Sequence, residues 1–533
     1  MLSTSSKGIG KVIFSSSLGT LIEWYDFYIF GMLAKTISAE FFPEGNDTAA
    51  LLSTLAIFAA GFLVRPFGAL VFGRLGDMIG RKSTFLLTLV LMGGSTFLIG
   101  LVPGYKTIGI AAPLLVLLLR LVQGLALGGE YGGAATYVAE HSPVNKRGYY
   151  TSWIQTTATL GLFVALGVIM AVKSNMSDAA FTAEWGGWRY PFWISVLLVG
   201  VSIYIRLKMS ESPLYTKLKT EGKTSINPLK ESFGHKANFK MVLLALFGAV
   251  MGQGVIWYTG QFYAQSFLEN TVKIEFMQNR EILLWGIGLA TPFFLVFGAL
   301  SDRIGRKWIM LSGMLLGVIF YRPIFSSFLK NADTKEWRKE SKLIADAAIT
   351  TTIVKIDTII NLAGLNEKVV HSKTNWALTD GRQWKQTSAD TLLSSYSGRA
   401  VEVGNTGNIE LGSGVKSDTH RIDSDKILST SLKWKFIFLV WSMIIFVTMA
   451  YAPIAAFLVE LFPTKIRYTS MSLPYHIGNG VFGGLVPFIA TLLSTSFAND
   501  PLVGLWYPIG VAGLSFIIGV FYLRNKKDKN IND

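Results

Sequence analysis

The sequence contains no cysteine, few histidines and few charged residues. Without cysteine, a disulfide, a metal thiolate and a thiol nucleophile are excluded from this 533-residue chain. Only 16% of the residues are charged and 51% are hydrophobic, which is too apolar for a soluble protein of this length. We find no nucleophile–base set, no metal-ligand set and no nucleotide-binding motif. The sequence therefore predicts neither an enzyme nor a protein that holds a metal or cofactor.

Apolar segments recur along the chain. Each contains roughly 20 residues, which is the length needed to cross a hydrocarbon core of about 30 Å. The sequence predicts an all-α membrane protein with twelve transmembrane helices. The predicted spans are residues 12–38, 50–73, 82–102, 109–138, 149–172, 188–208, 240–268, 281–301, 307–329, 434–460, 470–495 and 502–524.

The net charge of +15 could suggest a nucleic-acid partner, but the positions of the charges argue against one. They lie in short loops between apolar segments, as the positive-inside rule describes for membrane proteins. Basic residues such as Lys146 and Arg147 lie in alternate loops, and acidic residues such as Glu40 and Glu44 lie in the others. We therefore expect a lipid bilayer around the protein and both termini in the cytoplasm.

One loop sequence occurs twice, at 70–82 and again at 295–307. Ten of its thirteen positions are identical in the two copies, and each copy lies between two apolar segments. A repeated loop between repeated hairpins is typical of a duplicated membrane protein. The sequence therefore predicts two pseudo-symmetric bundles of six helices each.

The repeated loop has a chemistry that could hold two helix ends together. Its glycines allow close approach, and its aspartate can accept hydrogen bonds from a neighbouring helix end or from arginine. One interpretation is a latch that closes one face of the protein, and another is a topology signal with a packing role. The candidate gating residues are Gly73, Asp77, Gly80, Arg81, Gly298, Asp302, Gly305 and Arg306.

The hydropathy falls sharply over residues 331–431, between predicted helices nine and ten. Helix-like stretches in Asn331–Ile359 and strand-like pieces in Gly381–Val415 predict a small α+β extracytoplasmic insert. It carries no recognisable chemistry and could bind a partner that the sequence does not identify. The predicted domain boundaries are 1–208 for the first bundle, 209–239 for a cytoplasmic linker, 240–330 for helices seven to nine, 331–431 for the insert, and 432–533 for helices ten to twelve with a short tail.

Several ionisable residues fall inside predicted spans, where charge is costly and usually functional. Glu23 and Asp26 are three positions apart and share a helix face. With Arg65, Arg120 and Glu130 they could balance one another. A carboxyl group that alternates between paired and free states could carry protons, or the pairs could simply hold the helices together.

The second half contains fewer charges and more aromatic and amide groups. Gln253, Trp257 and Gln261 repeat every four residues on predicted span seven, beside Tyr258. This stripe could line an aqueous cavity or form an aromatic belt at the membrane interface. In span four, glycines such as Gly124 are assigned to close helix packing.

The repeated motif Gly-x-x-x-Asp-x-x-Gly-Arg-Lys resembles that of the major facilitator superfamily. Four further segments resemble its metabolite:proton symporter family, whose members carry proline/betaine, 2-oxoglutarate, citrate or shikimate. These segments are residues 23–27, 65–68, 120–130 and 460–468. The resemblance implies proton-driven symport of a small organic solute by alternating access across a bacterial inner membrane. In that setting Glu23, Asp26 and Glu130 are candidate proton carriers, and the candidate substrate-binding residues are Arg65, Arg120, Gln123, Trp257, Tyr258 and Gln261.

Two departures from the family pattern leave alternatives open. The 331–431 insert is additional, and the tail after span twelve lacks the heptads of osmosensing members. Two intramembrane arginines favour a carboxylate substrate, but a zwitterion also fits. The alternatives are a facilitator or antiporter of the same fold, or a transporter-derived sensor or anchor that uses the exported insert.

Overall fold

The computed structural model describes most of the chain. The described residues are 20–21, 24–26, 28–79, 81–128, 135–136, 138–139, 142–207, 234–344, 347–360, 366–393, 419–462, 467–497 and 499–524. Helices make up most of this part. All elements below are numbered in chain order.

Most of the described residues up to residue 207 are helical. Residues 28–32 are helical, and nine helices follow: α1 (Ala34–Phe41), α2 (Asp47–Leu63), α3 (Arg65–Ile79), α4 (Arg81–Ile99), α5 (Tyr105–Ile108), α6 (Ala111–Gly128), α7 (Arg147–Ser174), α8 (Asp178–Thr182) and α9 (Tyr190–Leu207). Local signals mark several ends. The Asn46 side chain caps α2 by accepting a hydrogen bond from the Ala49 amide at 2.9 Å.

From residue 234 on, the described residues form twelve further helices. They are α10 (Lys236–Ala245), α11 (Met251–Tyr258), α12 (Ala264–Asn270), α13 (Phe276–Ala290), α14 (Pro292–Ile304), α15 (Arg306–Asn331), α16 (Thr334–Ile344), α17 (Thr430–Tyr451), α18 (Ile454–Leu461), α19 (Arg467–His476), α20 (Val486–Ser496) and α21 (Trp506–Tyr522). Three π-helical segments, Leu246–Val250, Thr259–Tyr263 and Ile477–Gly483, join consecutive helices. Such segments are rare and often lie at functional sites.

Where the segment between α16 and α17 is described, it forms four antiparallel strands, in the sheet order β1-β2-β3-β4. They are β1 (Ala347–Ile360), β2 (Asn366–Leu378), β3 (Gln383–Leu393) and β4 (Thr419–Ile427). Trp376 on β2 is directly opposite Trp384 on β3, and their rings stack with centroids 5.1 Å apart. Trp337 of α16 packs its ring edge-on against Trp384 at 5.7 Å. This tryptophan cluster packs α16 against the sheet.

The helix-like interpretation of Asn331–Ile359 is wrong in its second part. The helix ends at Ile344, and β1 begins at Ala347. The reason is composition, because Ile349–Ile360 is rich in threonine, isoleucine and valine, which favour strands. The strand-like piece 399–403 lies outside the described residues.

Nine helical stretches among the described residues are long and apolar enough to cross a membrane, so the chain is a multi-pass membrane protein. They are Asp47–Phe72, Ala111–Gly128, Arg147–Ser174, Lys236–Asn270, Phe276–Ile304, Arg306–Asn331, Thr430–Leu461, Thr469–Ser496 and Val503–Tyr522. A shorter apolar helix covers Leu87–Ile99. The twelve-helix count remains a prediction.

The chain folds into two compact units. The first comprises Met1–Gln265, Leu283–Ile324 and Leu439–Asp533, and the second comprises Ser266–Ile282 and Phe325–Phe438. Within the second unit, β4 is tied to residues 273–275. Lys426 exchanges backbone hydrogen bonds of 2.8 Å with Lys273 and Glu275, which fixes the last strand to that loop.

Candidate functional site

Asp26 is completely buried among the helices of the first unit. Within the described part of the chain, neither of its carboxylate oxygens has a hydrogen-bond partner. A buried carboxyl group normally has donors that compensate its charge, so a bare one indicates a function that requires it. Of the three predicted proton carriers, Asp26 is the one that lies among the described residues.

The two predicted arginines lie on aromatic rings and do not pair with Asp26. Arg65 places its guanidinium carbon 4.3 Å from the ring centre of Phe62 and 5.5 Å from that of Trp24. Arg120 lies 4.6 Å from the ring centre of Phe30 in the same way. Both arginines are 2% exposed or less. Among the described residues no hydrogen bond or ion pair joins the Asp26 carboxylate to either arginine, and both guanidinium groups lie against aromatic faces.

Gln123 connects Arg120 to the backbone beside Asp26. Its amide oxygen accepts a hydrogen bond from Arg120, which lies one helical turn earlier on α6. Its amide nitrogen donates to the Thr96 hydroxyl at 2.8 Å and to the carbonyl oxygen of Asp26 at 3.3 Å. The side-chain amide therefore orients Arg120 relative to the helix that carries the acid.

Aromatic rings from distant parts of the sequence close over this polar group. Trp257 packs against Trp24 and Tyr28, with ring centroids 5.4 and 5.8 Å apart. Tyr258 meets Phe62 edge-on at 4.9 Å. The stripe on predicted span seven is thus buried in the interior, which excludes the interfacial belt as its location.

Several polar atoms in this cluster have no partner among the described residues. They are the indole nitrogen of Trp257, the hydroxyl of Tyr258 and both amide atoms of Gln261, all in side chains no more than 2% exposed. Buried donors and acceptors are normally satisfied, and unsatisfied ones often mark a place where a ligand or water binds. The arrangement offers hydrogen bonds, aromatic faces and two cations to a small polar molecule.

A second cluster surrounds the later copy of the repeated motif. Asp302 accepts hydrogen bonds from the backbone amides of Gly148 and Tyr149 at 2.8 and 2.9 Å. Those amides belong to the first turn of α7, where backbone donors lack helical partners and the helix dipole favours negative charge. The motif aspartate was expected to bind a neighbouring helix end, and at Asp302 this is confirmed.

Ion pairs extend this contact across four helix ends. Arg306 donates to Asp302 at 2.7 Å and to Glu460 at 3.0 Å. Arg147, at the start of α7, donates to the same Glu460 oxygen at 3.0 Å. All four side chains are less than 9% exposed. Because the ions are buried, breaking one pair would cost about 3–5 kcal/mol, far more than at a surface.

The glycines of this motif copy have separate roles. Gly298 faces α7, and an added Cβ there would overlap Ser152 and approach the Gly148 carbonyl oxygen. Gly305 has a φ of +99°, a conformation that favours glycine, and it joins α14 to α15. The first allows close packing and the second allows the turn.

Other predicted residues lie outside what the structure describes. Glu23, Gly80 and Glu130 are among the undescribed positions, and for Gly73, Asp77 and Arg81 only the helical backbone is described.

Sequence analysis also missed contributors to both clusters. Phe62 was not among the candidate residues, and Glu460 appeared only within a segment that resembles the family. No local sequence signal identifies Glu460, because its partners Arg147 and Arg306 are distant in the sequence.

A protein-family model described as "Sugar (and other) transporter" matches residues 12–246. The inner membrane metabolite transport protein YhjE of Escherichia coli is 30% identical over 515 residues, covering 95% of this chain and 92% of that protein. The alpha-ketoglutarate permease of Escherichia coli is 38% identical over 315 residues, covering 59% and 71%. The proline/betaine transporter of Escherichia coli is 34% identical over 328 residues, covering 59% and 64%.

Solved structures of the xylose transporter XylE from Escherichia coli share the fold. A partially occluded inward-open form aligns with a TM-score of 0.60 at 14% identity, covering 98% of this chain and all of that one. A form described as a proton:xylose symporter bound to 6-bromo-6-deoxy-D-glucose aligns with a TM-score of 0.61, covering 99% and 98%. At this identity the likeness concerns the fold alone.

Proposed function

The chain belongs to the sugar (and other) transporter family of the major facilitator superfamily, and from this premise we propose that it couples transport of a small organic solute to protons. It is a membrane transporter and not an enzyme. The direction proposed is symport, with a solute that carries a carboxylate, either an organic acid or a zwitterion. The buried polar cluster around Asp26, Arg65 and Arg120 is the observation that carries the proposal.

The arginines supply the proposed contact with the solute carboxylate. A guanidinium group donates two parallel hydrogen bonds to a carboxylate, which gives both binding and orientation. Gln123 holds Arg120 in place, while Trp257, Tyr258 and Gln261 would contact the rest of the solute. The relatives named for alpha-ketoglutarate and for proline/betaine support this substrate class, since both names denote carboxylates.

Asp26 is the proposed proton carrier, with Glu23 and Glu130 as further candidates from the sequence. Binding a proton would remove a charge that no described neighbour of Asp26 compensates. When the cavity opens to water or an arginine moves closer, the charged form would be favoured again. Proton binding and solute binding could then be coupled through Arg65 and Arg120.

Asp302 and Arg306 form the proposed latch. Asp302 contacts the start of α7 directly, and Arg306 is linked to Arg147 of α7 through the shared Glu460. These contacts would join the two predicted repeats at one end, so opening that end would require breaking them. The first copy, with Asp77 and Arg81, is assigned the equivalent place in the other repeat. The packing and topology interpretation stays compatible, because a latch must also pack.

We assign the twelve predicted helices to two six-helix bundles with the boundaries given above. The chain would lie in the inner membrane with both termini in the cytoplasm, as the loop charges and the inner-membrane relative support. The 331–431 insert would then face the other side, where it could meet a partner. Apart from a partner of the insert, the expected partners are protons, the solute and the lipid bilayer.

The test is transport by the purified protein in sealed liposomes. A thermal-shift screen of organic acids, amino acids and betaines first identifies a solute that stabilises the protein. Labelled solute should then accumulate when the outside is made acidic, and a protonophore should abolish accumulation. Protein-free liposomes and the Asp26→Asn variant serve as controls.

The alternatives predict different results in the same vesicles. A facilitator would equilibrate the solute without accumulating it under any pH difference. An antiporter would accumulate it only against a preloaded solute or an opposite gradient. If no panel solute moves although the protein is folded and inserted, the transport proposal fails and the sensor or anchor alternative is favoured.

A further inference from the structure

A cleft of about 470 Å³ lies where helix ends of the first unit meet, beside the latch. It is bordered by the start of α15, the end of α18, the end of α21 and the middle of α10. Apolar side chains from these helices form part of the wall. Phe521 and Tyr522 are 76% and 65% exposed there. The cleft is separate from the buried cluster around Asp26.

Positive charge predominates in the cleft wall. Lys240, Arg306, Lys307 and Arg524 line it, and the accompanying carboxylate is Glu460. One Glu460 oxygen already accepts from both Arg306 and Arg147. Its single negative charge is therefore shared between two arginines and cannot also balance the other cations of the cleft. The side chains that line the cleft therefore carry a net positive charge.

Two of these cations, Lys307 and Arg306, already have partners in the protein, whereas Lys240 and Arg524 have no ion pair within the described ranges. The Lys307 amino group donates to the carbonyl oxygens of Val520 and Leu523 at 2.7 and 2.8 Å, which caps the end of α21. Lys240 and Arg524 are exposed, and neither has an ion-pair partner among the residues that the structure describes. Both remain available to an anion.

Arg306 supplies a second, independent observation. The residue is 4% exposed, and its terminal nitrogens are held by Asp302 and Glu460. Its Nε–H has no acceptor in the described part of the chain. A buried guanidinium donor without an acceptor, in the wall of a basic cleft, points to an oxyanion.

We propose that this cleft binds the phosphate group of an anionic ligand, with Lys240, Arg524 and Arg306 as its donors. A phosphate offers several charged acceptor oxygens, which suits donors that come from α10, from the start of α15 and from the residues just after α21. The phosphate could belong to an anionic phospholipid or to a soluble phosphate. The exposed aromatic rings at the cleft favour the phospholipid, since such rings lie at the headgroup level of membranes.

The experiment measures binding to the purified full-length protein and needs no transport assay. Native mass spectrometry counts bound phosphatidylglycerol against phosphatidylcholine, and thermal shift reports inorganic phosphate. The cleft variant is Lys240→Gln/Arg524→Gln, which leaves the latch intact. The matched control, Lys335→Gln/Lys373→Gln, removes two exposed positive charges from the second unit.

We expect phosphatidylglycerol to bind at least tenfold more weakly to the cleft variant and unchanged to the control. The charge-preserving swap Lys240→Arg/Arg524→Lys should restore binding. Stabilisation by inorganic phosphate, lost in the cleft variant, would identify a soluble anion as the source. The proposal is overturned if the cleft variant binds like the parent, or if the parent neither prefers phosphatidylglycerol nor responds to phosphate.

Discussion

Asp26 combines complete burial with two oxygen atoms that lack partners in the described structure. If it carries the coupled proton, the Asp26→Asn variant cannot take up or release one, while its side-chain volume stays the same. We expect gradient-driven accumulation to disappear, whereas exchange of labelled for unlabelled solute persists. Accumulation is measured as uptake with and without a pH difference, and exchange is measured separately as counterflow.

The exposed carboxylate of Asp47, in the first turn of α2, provides the matched control. Asp47→Asn should accumulate solute as the parent does. Accumulation by Asp26→Asn to the parent level under the same gradient would remove Asp26 from the coupling role. Loss of both accumulation and exchange would instead indicate a part in solute binding.

Asp302 holds two backbone amides of α7 as well as Arg306. Asp302→Ala removes all three contacts at once and leaves Arg306 with one carboxylate partner, Glu460. Because the pair is buried, we expect the closed form to lose about 3–5 kcal/mol. The latched end should therefore open more often.

The cysteine-free chain makes this measurable with one introduced thiol. The introduced cysteine is Thr156→Cys on α7, at a position that is 4% exposed in this structure. Its reaction with a maleimide should be at least tenfold faster in Asp302→Ala. Asp500→Asn breaks an exposed pair with Arg322 and should leave the labelling rate unchanged. Equal rates in all three proteins would argue against a latch.

At the scale of elements, α6 and α2 touch backbone to backbone. A Cβ built on Gly124 would overlap the Gly61 carbonyl group, and backbone atoms cannot move aside as a side chain can. The assignment of Gly124 to close packing is thus confirmed. Gly129, Gly132 and Gly133, from the same sequence pattern, lie outside the described residues.

This contact predicts an unequal response of two glycines to the same substitution. Gly124→Ala should lower stability by about 1–3 kcal/mol through overpacking, seen as a lower melting temperature in detergent. Gly167 on α7 has open space around its Cβ direction, so Gly167→Ala should melt at the parent temperature or slightly above. Equal melting temperatures for both variants would contradict the packing role.

For the whole molecule, the predicted topology places both copies of the repeated loop on one face of the membrane. Single cysteines at Lys82 and Arg303 should react with an impermeant maleimide from the same side, because each loop joins the second and third helices of its half. A cysteine at Lys106 should react from the opposite side. Labelling of positions 82 and 303 from opposite faces would overturn the two-half arrangement.

Contacts between segments that are distant in the sequence could not be predicted from sequence patterns. Periodicity placed Trp257 and Gln261 on one helix face, yet two environments fitted that face equally well. Only the packing of Trp24 and Tyr28 against Trp257 distinguishes an interior cluster from an interfacial belt. The π-helical segments were likewise not predicted, because an extra residue in a helical turn is selected by neighbouring helices.

The sequence alone determined that this is a multi-pass membrane protein of a recognisable transporter family, and its repeated loop predicts two similar halves. The length of an apolar segment and a repeated motif can both be read from the local sequence. Because charge is costly in lipid, long segments with few charges identify membrane spans. Tertiary structure alone decided that Asp302 caps α7, that Glu460 joins Arg147 to Arg306, and that the Asp26 carboxylate has no hydrogen-bond partner among the described residues. Those outcomes depend on which helix ends meet across hundreds of residues, and no local pattern records which ends those are.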